Sequence, residues 1–227
     1  VEKRLEKAKK NAKGADKAAI KILEIVEKIK THLDDEKPAR TLSLETEDGK
    51  DLLNEMMLLT AKPILYVCNV DEDAAVSGND YVEKVKAVVA NENAEVVVLA
   101  VGTEADITEL ETYDERQMFL EDLGLAEPGS AKLIRGAYKL LNLETYFTAG
   151  EKEVRAWTIP VGATAPQAAG VIHTDFEKGF IRAEVIAYND YVTFGSENKV
   201  KEAGKMRVEG KEYIVKDGDV MHFRFNV

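Results

Sequence analysis

Cysteine is almost absent from this sequence, and several classes of chemistry are excluded with it. The 227 residues include one cysteine, Cys68, and three histidines, His32, His173 and His222. No disulfide can form within the chain, which is the usage of a reducing cytosol. No His/Cys cluster has metal-ligand spacing, and Cys68 has no histidine nearby in the sequence to activate it as a nucleophile. We expect Cys68 to be a buried thiol.

Long hydrophobic runs and a phosphate-binding loop are also missing. No stretch approaches the roughly 18 apolar residues of a membrane span, and no signal peptide is visible, so we expect a cytoplasmic protein. Gly-Lys occurs at 49–50, 204–205 and 210–211, but never in the pattern G-x-x-x-x-G-K-[ST]. The sequence therefore predicts no phosphate cradle and no P-loop hydroxyl for Mg²⁺. It begins at Val1, inside a charged helical pattern, which predicts a fragment or a processed chain.

Charge is distributed unevenly along the chain, whose net charge is −11. Residues 1–60 hold 13 basic and 13 acidic side chains, residues 61–143 hold 7 and 16, and residues 144–227 hold 11 and 13. An acidic total argues against indiscriminate nucleic-acid binding but leaves room for a local basic face. The basic side chains near the start are Lys3, Arg4, Lys7, Lys9, Lys10, Lys13, Lys17 and Lys21. Two interpretations of this run stay open, a solvated lysine face and a phosphate-binding stripe.

Residues 1–60 have the pattern of a helical coiled-coil hairpin. Along residues 2–33 apolar side chains recur at spacings of three and four, which predicts one long helix. These side chains are Leu5, Ala8, Ala12, Ala15, Ala19, Ile22, Val26, Ile29 and Leu33. We expect a polar tip over 34–49 and a second helix from about Asp51 to Thr60.

A strand, a helix and a second strand follow, at 63–69, 80–91 and 95–101. Both strands are apolar without alternation, which is typical of parallel strands covered on both faces. Asn69 and the acids after it would then lie at the carboxyl edge of the sheet, where open α/β sheets bind ligands. The alternative is a strand that ends in a solvated acidic turn. Two parallel strands are too few for a stable sheet, so we expect further strands outside this chain.

The rest of the chain changes character at about residue 144. Before that point, Gly102 is expected to end the second strand, and a helical region follows to Leu123. Gly124 is the predicted stop signal of that region, and Pro128 opens another helix that runs to about Leu141. Beyond it, we predict a helix at 164–172 and strands at 145–149, 153–159, 180–188, 191–194, 212–215 and 219–225. This order is an α+β pattern of the β-grasp kind. The predicted fold class is therefore multidomain, with an α/β part and an α+β part.

The motif Asn69-Val70-Asp71-Glu72 resembles the base-recognition motif N-K-x-D of P-loop GTPases, with Val in place of Lys and Glu in place of Asp. The longer Glu72 and the missing lysine fit poorly with guanine. N-x-x-E at this place is similar to the signature of the Obg-like ATPases, the YchF-type branch of the Obg-related P-loop NTPases. Later segments resemble the TGS domain of the same family, at 146–150, 153–160, 162–170, 172–182 and 216–220.

The resemblance implies three parts and a nucleotide site shared with residues outside this chain. The parts are a helical coiled-coil hairpin at 1–60, the C-terminal part of the P-loop NTPase domain at 61–143, and a TGS β-grasp domain at 144–227. The residues implied to contact adenine are Asn69, Val70, Glu72, Ala100, Val101 and Gly102. Members of the family are cytosolic, hydrolyse ATP slowly and associate with ribosomes. Catalysis and the Mg²⁺ ligands are assigned to the missing part, so we assign no catalytic residue and expect weak ATP binding and no activity from this chain alone.

A second hypothesis is an RNA- or ribosome-binding module that acts through the helical hairpin and the TGS domain without nucleotide chemistry. Basic residues that could line a groove in the last third are Arg155, Lys178, Arg182, Lys199, Lys201, Lys205, Arg207 and Lys211. The local net charge of −2 favours the alternative that these side chains balance nearby acids. We expect His173 to anchor a helix end by a hydrogen bond rather than to bind a metal.

Overall fold

The computed structural model describes residues 1–14, 16–92, 94–150 and 153–226. It divides into two compact units, Val1–Leu140 (unit 1) and Leu141–Val227 (unit 2). The mixture of helices with a parallel and a mixed sheet confirms the predicted α/β and α+β fold class. The finer division of unit 1 at residue 60 stays a prediction.

Unit 1 begins with two helices that pack against each other, not with one. They are α1 (Glu2–Ala12) and α2 (Lys17–Asp34), so the prediction of a single helix over residues 2–33 is wrong. The second helix starts after Asp16, because the Asp16 side chain caps it by accepting a hydrogen bond from the Ala18 N–H, 3.1 Å away. Ala15, part of the predicted apolar stripe, lies outside the described residues.

The next helix, α3 (Glu47–Glu55), lies earlier in the chain than the predicted Asp51–Thr60. Its start is set by the Thr46 hydroxyl, which accepts a hydrogen bond from the Gly49 N–H at 3.2 Å. It ends before Met57, whose φ of +49° is incompatible with a right-handed helix. Ion pairs join the helices of this region: Arg4 with Glu55, and Lys21 with Asp48.

The predicted βαβ unit is confirmed. Strands β1 (Leu65–Asn69) and β2 (Glu95–Leu99) are parallel, and α4 (Asp80–Val89) connects them. The Asn79 side chain caps α4 by accepting hydrogen bonds from two N–H groups of its first turn. The expectation that both strands are fully covered is wrong for β1, since Val67 is 46% exposed and no third strand pairs with β1 in the described part of the chain.

Three helices complete unit 1: α5 (Val101–Glu109), α6 (Tyr113–Asp122) and α7 (Gly129–Leu140). The second strand ends at Leu99, so Gly102 lies inside α5 and does not end the strand as predicted. Gly124 follows α6 with a φ of +67°, which confirms the predicted stop. Helix α7 packs on β2 and begins directly after Pro128, as predicted.

Unit 2 is one five-stranded sheet with helices on both faces. Its strands, in sheet order, are β4 (Val154–Pro160), β3 (Leu143–Ala149), β7 (Val220–Phe225), β5 (Phe180–Ile186) and β6 (Arg207–Glu209). Within the described strands, β3 and β7 pair in parallel and the other neighbours are antiparallel. Its helices are α8 (Ala165–Ile172), α9 (Thr174–Lys178), α10 (Tyr188–Phe194) and α11 (Glu197–Glu202). The main core, which includes Tyr146, Ile159 and Met221, lies between the sheet and α8–α9.

Two of the strands predicted in unit 2 are wrong. Residues 191–194 belong to α10, because Tyr191 and Phe194, three apart, pack with Ile186 and Val200, and this packing overrides the β-propensity of the segment. Residues 212–215 contribute only an isolated bridge between Ile214 and Thr164. Strand β6 and helices α9 and α11 were not predicted.

Candidate functional site

The carboxyl ends of β1 and β2 lie side by side in unit 1, because Asn69 and Leu99 are the last pair of the parallel register. The pairing continues one residue further, since the Val70 N–H donates to the Leu99 carbonyl at 2.8 Å. The Asn69 side chain is exposed at this edge, and its Oδ1 accepts a hydrogen bond from the Val101 N–H at 3.1 Å. The two segments that sequence reasoning assigned to the purine are thus directly joined.

Through this hydrogen bond, the side chain of Asn69, the last residue of β1, caps the N-terminus of α5. Ala100 is the N-cap residue of α5 and is buried at 5% exposure, but its methyl group cannot cap the first turn. The side chain of Asn69 therefore supplies the acceptor that the cap residue lacks. With Oδ1 engaged, the two N–H donors of the exposed Asn69 amide form no hydrogen bond with the described residues.

Val70 and Glu72 have different surroundings. The Val70 side chain packs on a buried cluster that includes Ala75 and Ala100. Glu72 is exposed at the start of a short 3₁₀ turn, Glu72–Ala74, and forms no ion pair among the described residues. Since Ala75 packs in the same cluster as Ala100, the turn that carries Glu72 lies beside the start of α5.

The space above the first turn of α5 is open. Val101 is 52% exposed, and a Cβ built on Gly102 would meet nothing within 4 Å. No part of the described chain therefore requires glycine at position 102. All six residues predicted to contact adenine lie at one edge of the sheet, although only Asn69, Glu72, Val101 and Gly102 are exposed there.

Glu104 supports this edge and was missed by sequence reasoning. It lies on α5, and its carboxylate accepts hydrogen bonds from the Gly129 N–H at 2.5 Å and the Ser130 N–H at 3.1 Å. These are the first N–H groups of α7, so one carboxylate caps α7 and ties it to α5. No local pattern signals a cap that comes from 25 residues away.

A row of free lysines lies on α1. Lys3, Lys7 and Lys10 are exposed at helical spacing, and none forms an ion pair among the described residues. By contrast, Lys9 pairs with Glu27 on α2 at 3.8 Å. The basic run predicted from the sequence is therefore partly structural, and its unpaired part faces solvent along one side of the helix.

In unit 2, the segment 216–220 of the predicted TGS motif is a structural turn. Asp219 is 3% exposed, and its carboxylate accepts hydrogen bonds from the Tyr213 hydroxyl at 2.7 Å and the Lys216 N–H at 3.0 Å. Burial, followed by the bond to Asp219, raises the pKa of Tyr213 to about 12. Arg207 donates to Tyr213 at 3.0 Å, so this residue of the predicted basic groove belongs to an internal network.

Two further predictions for unit 2 concern single side chains. His173 forms the expected hydrogen bond to a helix end, but at the start of α9, where its Nδ1 accepts from the Asp175 N–H at 3.2 Å, and not at the end of the predicted helix 164–172. Arg155, a predicted groove residue, stacks over the Trp157 ring at 4.1 Å.

In the described residues no group of three or more His, Cys, Asp or Glu side chains could hold a metal ion. No helix in that part of the chain is long and apolar enough to cross a bilayer.

Comparison with known protein families gives one match in unit 2. Residues 143–226 match the family model YchF-GTPase_C, described as a protein of unknown function (DUF933). This range covers the whole five-stranded sheet of unit 2.

Comparison with curated proteins extends the similarity to the full chain. The chain is 54% identical over 229 residues to the "Ribosome-binding ATPase YchF" of Bacillus subtilis (strain 168), which covers 100% of this chain and 62% of that protein. It is 53% identical over 226 residues to the protein of the same name from Escherichia coli O157:H7, covering 100% of this chain and 61% of that protein. It is 44% identical over 201 residues to "Obg-like ATPase 1" of Caenorhabditis elegans, covering 88% of this chain and 50% of that protein. The chain thus spans about three fifths of the length of the first relatives.

Among solved structures, the chain resembles that of the Schizosaccharomyces pombe YchF GTPase. The TM-score is 0.82 at 36% sequence identity, covering 98% of this chain and 61% of that one. A GTP-binding protein from Pyrococcus horikoshii OT3 shares the fold alone, with a TM-score of 0.52 at 16% identity.

Proposed function

Because this chain belongs to the YchF-type family of Obg-like ATPases, we propose that unit 1 carries the adenine-recognition edge of a nucleotide-binding domain. The site consists of Asn69, Val70, Glu72, Ala100, Val101 and Gly102. The phosphates and Mg²⁺ are held by residues outside this chain, and the longer protein is a ribosome-associated ATPase of the cytoplasm.

One observation carries this proposal, the hydrogen bond from the Val101 N–H to the Asn69 side chain. It holds the end of β1 against the start of α5, so that the exposed amide of Asn69 and the open space above Gly102 lie at the same edge. The amide then supplies a donor for a purine ring nitrogen, and the Glu72 carboxylate supplies an acceptor for an exocyclic amino group. Val70 and Ala100 contribute their backbone and the packing that supports it.

The residues of this chain fit a base and not a triphosphate. No Gly-Lys pair of the sequence lies in a phosphate-binding pattern, and most affinity at such sites comes through the phosphates. We therefore expect weak ATP binding by this chain and tight binding by a longer protein that contains it. No residue here is assigned to hydrolysis.

Competition binding with a fluorescent ATP analogue tests the proposal. In the longer protein, unlabelled ATP should displace the analogue at lower concentration than GTP, and Asn69→Ala should weaken both the analogue and ATP. In this chain alone, both nucleotides should bind weakly. Tight ATP binding by this chain, or preference of the longer protein for GTP, would contradict the proposed division of the site.

A second function, supported by a different observation, is RNA binding through the helices of unit 1. The exposed row Lys3, Lys7 and Lys10 has no ion-pair partner among the described residues, and the first 21 residues hold eight basic and three acidic side chains in a chain of net charge −11. Side chains at this spacing lie roughly 5–6 Å apart along a helix face, which suits a polyphosphate backbone. The ribosome is the expected partner.

This function predicts a salt-dependent affinity for RNA. We expect the logarithm of the association constant to fall linearly with the logarithm of salt concentration, by about 0.7 for each phosphate of a single strand that is contacted. Replacing Lys3, Lys7 and Lys10 by alanine should reduce that slope. The control is Lys50→Ala, since Lys50 is already paired with Glu47 at 2.7 Å. RNA binding that is absent or insensitive to salt would exclude this function.

A further inference from the structure

We propose that the second face of the sheet in unit 2 binds one phosphate of an RNA backbone between Arg182 and Arg224, with His222 as a further hydrogen-bond donor. This inference rests on the RNA-binding function proposed above, and it adds a contact surface in unit 2 to the lysine row of α1.

The sheet of unit 2 has one well-covered face and one partly open face. Side chains that include Tyr146, Ile159 and Met221 point to the covered face, under α8 and α9. On the other face, α10 and α11 cover only the end that carries Ile186 and Val220. Further along β5 and β7, away from those helices, the same face carries Glu184 and Arg182 on one strand and His222 and Arg224 on the other.

Register places these four side chains as a compact square. Glu184 is directly opposite His222, and Arg182 is directly opposite Arg224. Side chains directly opposite in an antiparallel pair have Cβ atoms roughly 4.5–5.5 Å apart. Arg182, His222 and Arg224 are exposed, whereas the Glu184 side chain is only 16% exposed.

A β-bulge lies just before this square. The register shifts between Phe180, which pairs with Phe225, and Arg182, which pairs with Arg224, so one extra residue stands on β5. From Arg182 onward the pairing with β7 is regular. Because Ala183 and Val185 pack in the main core, Arg182 and Glu184 point to the other face. The bulge lets Phe180 pack in that core although it lies two residues before Arg182.

The balance of charge leaves this square one cation in excess. Arg224 donates to Glu184 at 3.0 Å, and this hydrogen bond, together with the positive charges of Arg224 and Arg182, lowers the pKa of Glu184. Arg182 has no ion-pair partner of its own among the described residues. Two like charges directly opposite in a sheet are destabilising. A phosphate between the two guanidinium groups would remove this repulsion and use the planar donors that suit phosphate oxygens.

An RNA phosphate is favoured over a deep small-molecule site by the shape of the surface. The square lies on an exposed sheet face, beside Val208 of β6, which is 63% exposed, and near Gly210, where an added Cβ would meet nothing within 4 Å. A flat surface with two arginines provides contacts that position a backbone without reading its sequence. We therefore expect affinity without sequence preference at this face.

The test is the binding of a fluorescently labelled single-stranded RNA oligonucleotide to the full chain, followed by anisotropy between about 50 and about 200 mM salt. The variant Arg182→Ala/Arg224→Ala should lower affinity several-fold at low salt and reduce the log–log salt slope by about 0.7, the value for one phosphate. Arg224→Lys, which keeps the charge but loses the planar fork, should restore part of the affinity. Glu184→Gln, which frees Arg224 from its ion pair, should strengthen RNA binding. Thermal melts of each variant report whether it is folded.

The control removes two positive charges from the same unit but from the end of α11 and the loop that follows it, as Lys201→Ala/Lys205→Ala. Equal losses of RNA affinity in the two double variants would overturn the inference, because they would show that binding depends on total charge and not on a specific site. Loss of binding on removal of Lys3, Lys7 and Lys10, with no effect of the arginine pair, would overturn it while leaving the proposed RNA-binding function intact. No RNA binding by the unaltered chain would overturn both.

Discussion

The side-chain oxygen of Asn69 accepts a hydrogen bond from the backbone N–H of Val101, 32 residues further along the chain. This bond joins the end of one parallel strand to the helix that follows the next strand. In the proposed site Asn69 therefore has two roles that can be separated by mutation, because Oδ1 holds the helix and Nδ2 would donate to the base.

Replacing Asn69 tests both roles in the longer, nucleotide-binding protein. Asn69→Ala loses the acceptor and the donor and should weaken ATP binding by about 1–3 kcal/mol. Asn69→Asp keeps an acceptor for the Val101 N–H but replaces the donor with a negative charge. It should preserve stability while losing affinity, as measured by calorimetric titration and urea denaturation. Unchanged ATP affinity in both variants would remove Asn69 from the site.

Glycine at position 102 should favour ATP binding, but it should make the folded chain less stable than alanine would. It lies in the first turn of α5, where nothing within 4 Å opposes a methyl group. Gly102→Ala should therefore stabilise the chain by about 0.5 kcal/mol, since alanine restricts the unfolded chain, and should weaken ATP binding in the longer protein.

The matched control is Gly162→Ala, which also enters open space but at a φ of +86°. It should destabilise by about 1 kcal/mol, because alanine is strained at positive φ. Urea denaturation of both variants measures the difference. Destabilisation by Gly102→Ala would show that the chain itself requires this glycine.

Glu104 should be the main link between α5 and α7. Glu104→Ala leaves the N–H groups of Gly129 and Ser130 without their acceptor and should lower the free energy of unfolding by about 1–2 kcal/mol. Glu109→Ala, at the exposed end of the same helix, is the control and should change little. Equal effects of the two substitutions in urea denaturation would argue against a specific cap.

Glu144 should make unit 2 less stable at neutral than at acid pH. Burial, with smaller effects from the charges of Asp217 and Asp219, raises the pKa of Glu144 above its usual 4.5, and its Oε1 has no hydrogen-bond partner among the residues that the structure describes. A raised pKa in the folded state means that folding favours the protonated form. The contribution to stability is therefore present below pH 4.5 and is lost as pH rises through the folded-state pKa.

Glu144→Gln removes this titration while keeping an acceptor for the Gly162 N–H. We expect the variant to be more stable than the unaltered chain at neutral pH, by the order of 1 kcal/mol, and similar to it near pH 4. Denaturant titrations at the two pH values measure the difference. A difference in the free energy of unfolding between the two proteins that does not change with pH would show that the charge of Glu144 is compensated.

The elements around the proposed nucleotide-binding edge were predictable because their signals are local. Continuous apolar runs indicated two parallel strands with a helix between them. Those two strands were enough to place Asn69 at the carboxyl edge. The motif with Glu72 then pointed to the family, which the comparisons confirm.

The features missed by the sequence analysis depend on contacts between distant residues or on one strong cap. Asp16 divides a helix whose apolar spacing runs through the break without interruption. In α10, aromatic residues with high β-propensity are helical because Tyr191 and Phe194 fill a cluster with Val200. The cap from Glu104 to α7 and the bulge before Arg182 are set by the packed structure and have no local signal.

Titration of the isotope-labelled chain with ATP and with GTP, followed by NMR, tests the central claim most directly, because it detects weak binding and locates it. We predict that ATP shifts the backbone signals of Val101 and Gly102 and the side-chain amide of Asn69, more strongly than GTP does, and that Asn69→Ala removes these shifts. Shifts confined to other parts of the chain, or equal shifts with both nucleotides, would contradict the assignment of adenine recognition to this edge.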